Sequence, residues 1–191
     1  TDVPAATAAP TASAAAPAAA PSDSGPVLAR LMDLLAQQKH AEADFEEQQY
    51  LSVLTRPLRS SGTLIYRAPD HLEQRTLKPR RQTMVLDHGT LTMRVGAHRR
   101  SVALADYPQL APLIDSIRAT LAGDQPALEQ RFRLQLHGTL DHWQLQLQPR
   151  GPQRAANIMQ IDIRGEQAQI LEVQIRQVDG DHAVMHIRPH R

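Results

Sequence analysis

The feature that most constrains this chain is a succession of short apolar segments, from about residue 45 to residue 187, separated by turn residues at short intervals. Successive side chains on a strand point to opposite faces, so alternation of apolar with polar residues marks a strand that buries one face. Phe132, Leu134 and Leu136 alternate in this way, as do Trp143, Leu145 and Leu147. Phe45 to Leu51 and Leu58 to Tyr66 read as two more strands, broken at Thr55-Arg56-Pro57. Leu72 to Leu77, Met84 to Leu86, Leu91 to Val95 and Arg100 to Leu104 continue the rhythm, with breaks at Lys78-Pro79, Asp87-His88-Gly89 and Gly96-Ala97. Ile161 with Ile163, Leu171 with Val173 and Ile175, and Val184 to Ile187 supply the last three. About eleven strands in one antiparallel sheet exceed the usual open sheet, and a sheet that wide curls.

One helical segment precedes this pattern and a helical insertion interrupts it, which makes the fold class α+β. Val27, Leu28, Leu31, Leu34 and Leu35 recur at helical spacing behind Pro26, a good first helical residue. Leu110, Leu113, Ile114, Ile117 and Leu121 share another helical face, with Gly123 placed to end it. Pro108 and Pro112 divide the approach into a turn and the helix proper, and Asp124-Gln125-Pro126 opens a short helix reaching Arg131. A curved sheet has a concave face, and these helices are the material available to cover it. Pattern alone leaves two outcomes open, a filled core or a cavity.

Residues 1–25 are almost wholly Ala, Pro, Thr and Ser, with Pro4, Pro10, Pro17 and Pro21 interrupting every stretch. Such a segment buries too little to offset the entropy of ordering it and reads as a disordered tail, with one domain over residues 26–191. The formal net charge of +1, from 21 basic and 20 acidic residues, argues against a nucleic-acid partner. His98-Arg99-Arg100 is a tight basic cluster and reads as a solvated turn. The absence of cysteine excludes disulfides, thiolate metal sites and a lipidated N-terminal Cys. No run approaches the ~18 apolar residues of a membrane span, and no export signal opens the chain, so an exported protein would already have lost it.

Several short motifs, in order and spacing, resemble the LolA family of outer-membrane lipoprotein carriers. They are Phe45-Glu46-Glu47-Gln48, Ser60-Ser61-Gly62-Thr63-Leu64-Ile65-Tyr66, Pro69 with Leu72, Pro79, and Asp87-x-Gly89. The second of these, followed by Ala68-Pro69-Asp70 and by Ala105-Asp106-Tyr107-Pro108, is similar to the branch associated with aryl-polyene and xanthomonadin-type pigment clusters. The resemblance implies an incomplete β-barrel with a helical lid, located in the periplasm. It implies binding of acyl chains, of a lipoprotein or a lipid-linked pigment, between an inner-membrane exporter and an outer-membrane acceptor. No cofactor or metal is implied. The implied lipid-binding cavity draws on Leu31 and Leu35 of the first helix, Phe45, Leu64, Tyr66, Leu72, Met84 and Leu86 of the strands, Leu113, Ile114 and Ile117 of the lid, and Trp143. Strand parity places Leu64 with Tyr66 and Met84 with Leu86 on common faces, and Trp143 suits either core or concave wall. One departure concerns the lid: the position before the motif proline, often Arg in this family, is Ala68, and Arg67 points to the opposite face.

The signatures of other chemistries are missing. There is no G-x-S-x-G elbow, H-E-x-x-H, P-loop or G-x-G-x-x-G. Among the nine histidines only His186 and His190 have a ligand-like interval, and Pro189 disfavours the helix that would converge them. Glu46 and Glu47 point to opposite faces of their strand and read as an exposed edge in preference to an acid/base pair. The expected function is therefore a carrier and not an enzyme. The alternative is a periplasmic lipid- or lipoprotein-sensing module of the same fold, although 191 residues leave no room for the additional domain most such sensors carry.

Overall fold

The computed structural model describes residues 25–108, 111–151 and 157–190. The tail read over residues 1–25 thus lies outside the described residues except for Gly25, and Leu110 lies outside them as well. Helix α1 (Gly25–Gln37) leads into six strands, β1 (His40–Tyr50), β2 (Leu58–Arg67), β3 (His71–Lys78), β4 (Gln82–Asp87), β5 (Thr90–Val95) and β6 (His98–Ala103). A 3-10 turn (Leu104–Asp106), α2 (Ala111–Leu121) and α3 (Gln125–Arg131) follow. Five further strands close the chain: β7 (Phe132–Thr139), β8 (His142–Pro149), β9 (Ile158–Glu166), β10 (Gln169–Gln177) and β11 (His182–Pro189).

All eleven strands join one antiparallel sheet in the order β6-β5-β4-β3-β2-β1-β11-β10-β9-β8-β7. The first and last strands therefore pair at its middle, through Phe45 with Ile187 and Glu47 with Met185. β6 and β7 are the two open edges, and the segment that links them carries α2 and α3 across the concave side. Strand β1 starts five residues earlier than its apolar pattern suggests. Ala41 and Ala43 occupy the inward positions there, and alanine gives little hydrophobic signal.

Three β-bulges add curvature by inserting an unpaired residue. The register steps over Leu77 between the Gly62–Thr76 and Ser61–Lys78 pairs. It steps over Leu171 and over Met159 in the β9–β10 ladder. The Met159 bulge returns Ile158 to the inner face, where it is buried with Ile161 and Ile163.

The helices are placed by their ends. Asp124 caps α3 by accepting from the Ala127 N–H at 3.1 Å. α2 ends in a left-handed Gly123, with Gly123 N–H donating to Thr120 and Asp124 N–H to Ala119. A Cβ at Gly123 would lie 2.2 Å from the Met32 carbonyl oxygen, so only glycine lets α2 meet α1 this closely. Pro112 is the second residue of α2, where its missing N–H costs nothing.

The packed core occupies one half of the concave face. Leu31, Met32 and Leu35 of α1 and Leu128 of α3 pack on Phe132, Leu136, Leu145, Leu147, Ile161 and Ile163. On the opposite face of the same strands Asp162 is buried among polar partners. Arg176 donates to it at 2.7 Å, and Gln160 donates to both its oxygens at 2.8 and 2.9 Å. Burial alone would raise this carboxyl, but the hydrogen bonds from Arg176, Gln160 and Gln144 together hold it below the ordinary carboxylate range. Because its folded-state value is depressed, its stabilisation is present above the unfolded-state pKa near ~4 and is lost as pH falls through the depressed value. Asp162→Asn should cost about 1–3 kcal/mol in urea unfolding at pH 7, and the difference from wild type should shrink as the pH is lowered below ~4.

Candidate functional site

The other half of the concave face is hollow. A cavity of about 260 Å³ lies between β1–β5, β10–β11 and the inner faces of α2 and the end of α1. It is far larger than the space one water needs. Two ladders build its wall. Ala41, Tyr66, Leu72, Leu86 and Leu91 are cross-strand partners along β1–β5, and Ala43, Leu64, Gln74 and Met84 form the next row. β10 and β11 add Val173, Ile175, Met185 and Ile187. Ile114, Ile117 and Leu121 of α2 form the cover.

Of the side chains expected at such a site, Leu35, Leu64, Tyr66, Leu72, Met84, Leu86, Ile114 and Ile117 line this cavity. Leu31, Phe45, Leu113 and Trp143 do not. Leu31 lies one turn earlier on α1, over the filled half, and only the last turn of that helix reaches the cavity. Leu113 is rotated about 100° from Ile114 and packs on the core. Phe45 is fully buried on β1, between Gly62 and Ile187. Trp143 is core: its indole covers Gly165, where a Cβ would lie 2.3 Å from the ring, and its Nε1–H donates to the Gln167 carbonyl at 3.0 Å. The contributions of β10 and β11 were missed, although their alternation is present in the sequence, because parity does not tell which strands are neighbours.

One polar atom of this wall is without a partner. The Tyr66 hydroxyl is fully buried and makes no hydrogen bond among the described residues. Burial pushes its phenol above the ordinary value, against the pull of the Arg118 cation and with a further push from Asp70. The group is therefore a neutral O–H at physiological pH, able to donate.

The cover is tied at one side. Asp115 pairs with Arg131 of α3 at 3.1 Å and approaches Arg118 at 3.9 Å, and Gly123 abuts α1. Among the described residues no hydrogen bond or ion pair joins α2 to β1–β6. Arg67 is exposed, and the Ala68 N–H donates to the Lys39 carbonyl at 2.9 Å, so neither latches the cover.

The histidines lie apart from the cavity chemistry. His186 on β11 meets Glu172 at 3.3 Å, and His190, just beyond β11, meets Asp44 at 3.2 Å. Asp70, Asp87 and His88 bring ligand-type atoms within 4.8 Å of one another at two neighbouring turns, in a largely exposed position.

A family model described as "Outer membrane lipoprotein carrier protein LolA-like" matches residues 14–186. The chain belongs to this LolA-like family. Members of the LolA-like family are carrier or binding proteins for lipoproteins or lipids. Among solved structures, a LolA superfamily protein from Nitrosomonas europaea aligns at 8% identity and TM-score 0.43, covering 86% of this chain and 90% of that one. A DUF1329 family protein from Desulfovibrio piger aligns at 10% identity and TM-score 0.48, over 87% and 91% of the two chains. The MucA/MucB complex of Pseudomonas aeruginosa aligns at 14% identity and TM-score 0.46, over 88% of this chain and 56% of that one. No curated protein matches the chain significantly.

Two substitutions separate the halves of this LolA-like concave face. Trp143→Ala should cost about 3–5 kcal/mol, the loss expected of a filled core. Tyr66→Phe should leave stability unchanged or raise it by up to ~1 kcal/mol, since it removes a buried hydroxyl without a partner. Urea unfolding of both variants checks the contrast.

Proposed function

We propose that this protein is a periplasmic carrier that holds an acyl chain in the hollow half of its concave face. The supporting observation is the cavity itself: its wall is mostly Leu, Ile, Val, Met and Ala, and among the described residues its covering helix is tied by polar contacts at one side. An acyl chain removed from water into such a space gains roughly 0.8 kcal/mol per buried methylene, with no directional bonding required. The cargo is the acyl part of a lipoprotein or of a lipid-linked pigment of the aryl-polyene kind. It passes from an inner-membrane exporter to an outer-membrane acceptor. Leu64, Tyr66, Leu72, Met84 and Leu86 form the sheet side of the binding site, and Leu35, Ile114 and Ile117 its helical side. The Tyr66 hydroxyl offers a buried, unpartnered donor for a carbonyl of the cargo, which it reaches once α2 yields. No step of this function needs bond making, so the protein acts as a carrier and not as an enzyme. One domain over residues 26–191 carries the activity, and residues 1–25 act as a tether.

The test is Leu64→Glu, read by a fluorescent fatty-acyl probe and by urea unfolding. A charge in an openable cavity can keep water, whereas in a filled interior it costs several kcal/mol or more. The expected result is loss of probe binding by at least about tenfold, at a stability cost well below that of Leu145→Glu in the packed half. A variant that unfolds outright, or one that folds and binds the probe as tightly as wild type, contradicts the proposal.

A further inference from the structure

Within β1–β6 the cations gather at one end of the sheet; the neighbouring β10–β11 connection brings Asp179 and Asp181 to the same end, where the Ser52 N–H donates to Asp181 at 2.7 Å. In an antiparallel meander the β1–β2, β3–β4 and β5–β6 connections fall at one end, and the pairs Ser61–Lys78 and Thr83–Arg94 set these three hairpins side by side. The first hairpin carries Arg56 and Arg59. The second carries Lys78, Arg80 and Arg81. The third carries Arg94, Arg99 and Arg100. No Asp or Glu occurs between Glu47 and Asp70, between Glu73 and Asp87, or between Asp87 and Asp106. Those three aspartates fall at or beyond the connections of the opposite end. All eight cations are exposed, and among the described residues none pairs with a carboxylate.

The same rim displays apolar side chains. Val53 is 84% exposed, and Leu54, Leu58, Leu77 and Met93 are exposed with it. Leu77 is there because of the β3 bulge, which leaves it unpaired and turned to solvent. Contiguous exposed apolar side chains mark an interaction surface, and here they stand among the cations. A soluble polyanion needs only the charge, which leaves the exposed apolar side chains without a role. An anionic bilayer surface takes both: the arginines meet phosphate headgroups while the apolar tips enter the interface.

We infer that this rim docks the protein on anionic phospholipid surfaces. The inference does not rest on the cavity, which is lined by other residues. Each cation held at an anionic surface raises binding about fivefold, so Arg80→Gln with Arg81→Gln should weaken it about 25-fold.

The experiment is flotation of the full chain with vesicles of phosphatidylethanolamine and phosphatidylglycerol at about 3:1, and with vesicles of phosphatidylcholine alone. The expected result is binding at least about tenfold stronger to the anionic vesicles, weakening as salt is raised. The double arginine variant should show the ~25-fold loss and Val53→Ser a loss of about fivefold, both with wild-type melting temperatures. Should the double variant misfold, Arg56→Gln with Arg59→Gln supplies the same readout. Leu64→Glu should attach to vesicles as wild type does. Equal binding to both vesicle types, or none to either, overturns the inference. Loss in the arginine variant with no effect of Val53→Ser points to a soluble polyanion and overturns it as well. Loss in Leu64→Glu alone assigns vesicle binding to lipid uptake by the cavity and overturns rim docking without touching the carrier reading.

Discussion

One sheet of eleven strands has more concave surface than three short helices can fill, and the rest of the structure follows from that mismatch. Pairing of β1 with β11 places both chain ends of the domain at the middle of the sheet and leaves β6 and β7 as edges. The chain linking those edges must cross the open side, and it brings α2 and α3 with it. α1 and α3 spend their apolar faces on β7–β9, where large side chains interdigitate to a packed core. α2 alone is left above β1–β5, and it covers a space it does not fill.

Function inherits this division. The packed half supplies the stability that lets the other half remain hollow, because dry apolar walls without a filler forgo dispersion contacts. The polar anchors of α2 point to α3 and to the α1 contact at Gly123, so the helix can part from β1–β6 without breaking a hydrogen bond to them. In this respect Ala68, in the position often held by Arg in LolA carriers, is consistent with a cover held by apolar contact. On the proposed carrier reading, an acyl chain competes with that contact directly.

Much of the strand framework was legible because period-two alternation survives wherever large side chains mark the inner face, as in Phe132 to Leu136 and Trp143 to Leu147. It failed at the start of β1, where alanines mark that face, and at the three bulges, where one inserted residue reverses the parity. The cavity was legible on β2–β4, whose inner residues lie near the family motif, and on the inner stripe of α2. It was not legible on β10 and β11, since the pairing of first and last strands is a long-range choice that no local pattern records. Trp143 could be read either way from its strand alone. Gly165, which makes room for the indole, and the Gln167 carbonyl, which takes its N–H, lie on or beside another strand. The basic rim shows the same limit: Arg56, Arg80 and Arg99 are far apart in sequence and become one surface only through the meander.

The central claim is that one half of the concave face is filled and the other is an openable, ligand-binding space. Hydrogen exchange followed by mass spectrometry, with and without a fatty-acyl ligand, tests it most directly. The account predicts that amides of α2 exchange faster than those of Trp143 to Leu147 in the free protein and slow markedly on loading, while β7–β9 do not change. If α2 is as protected as Trp143 to Leu147 and its exchange is the same with and without ligand, the concave face is an ordinary core and the account is wrong.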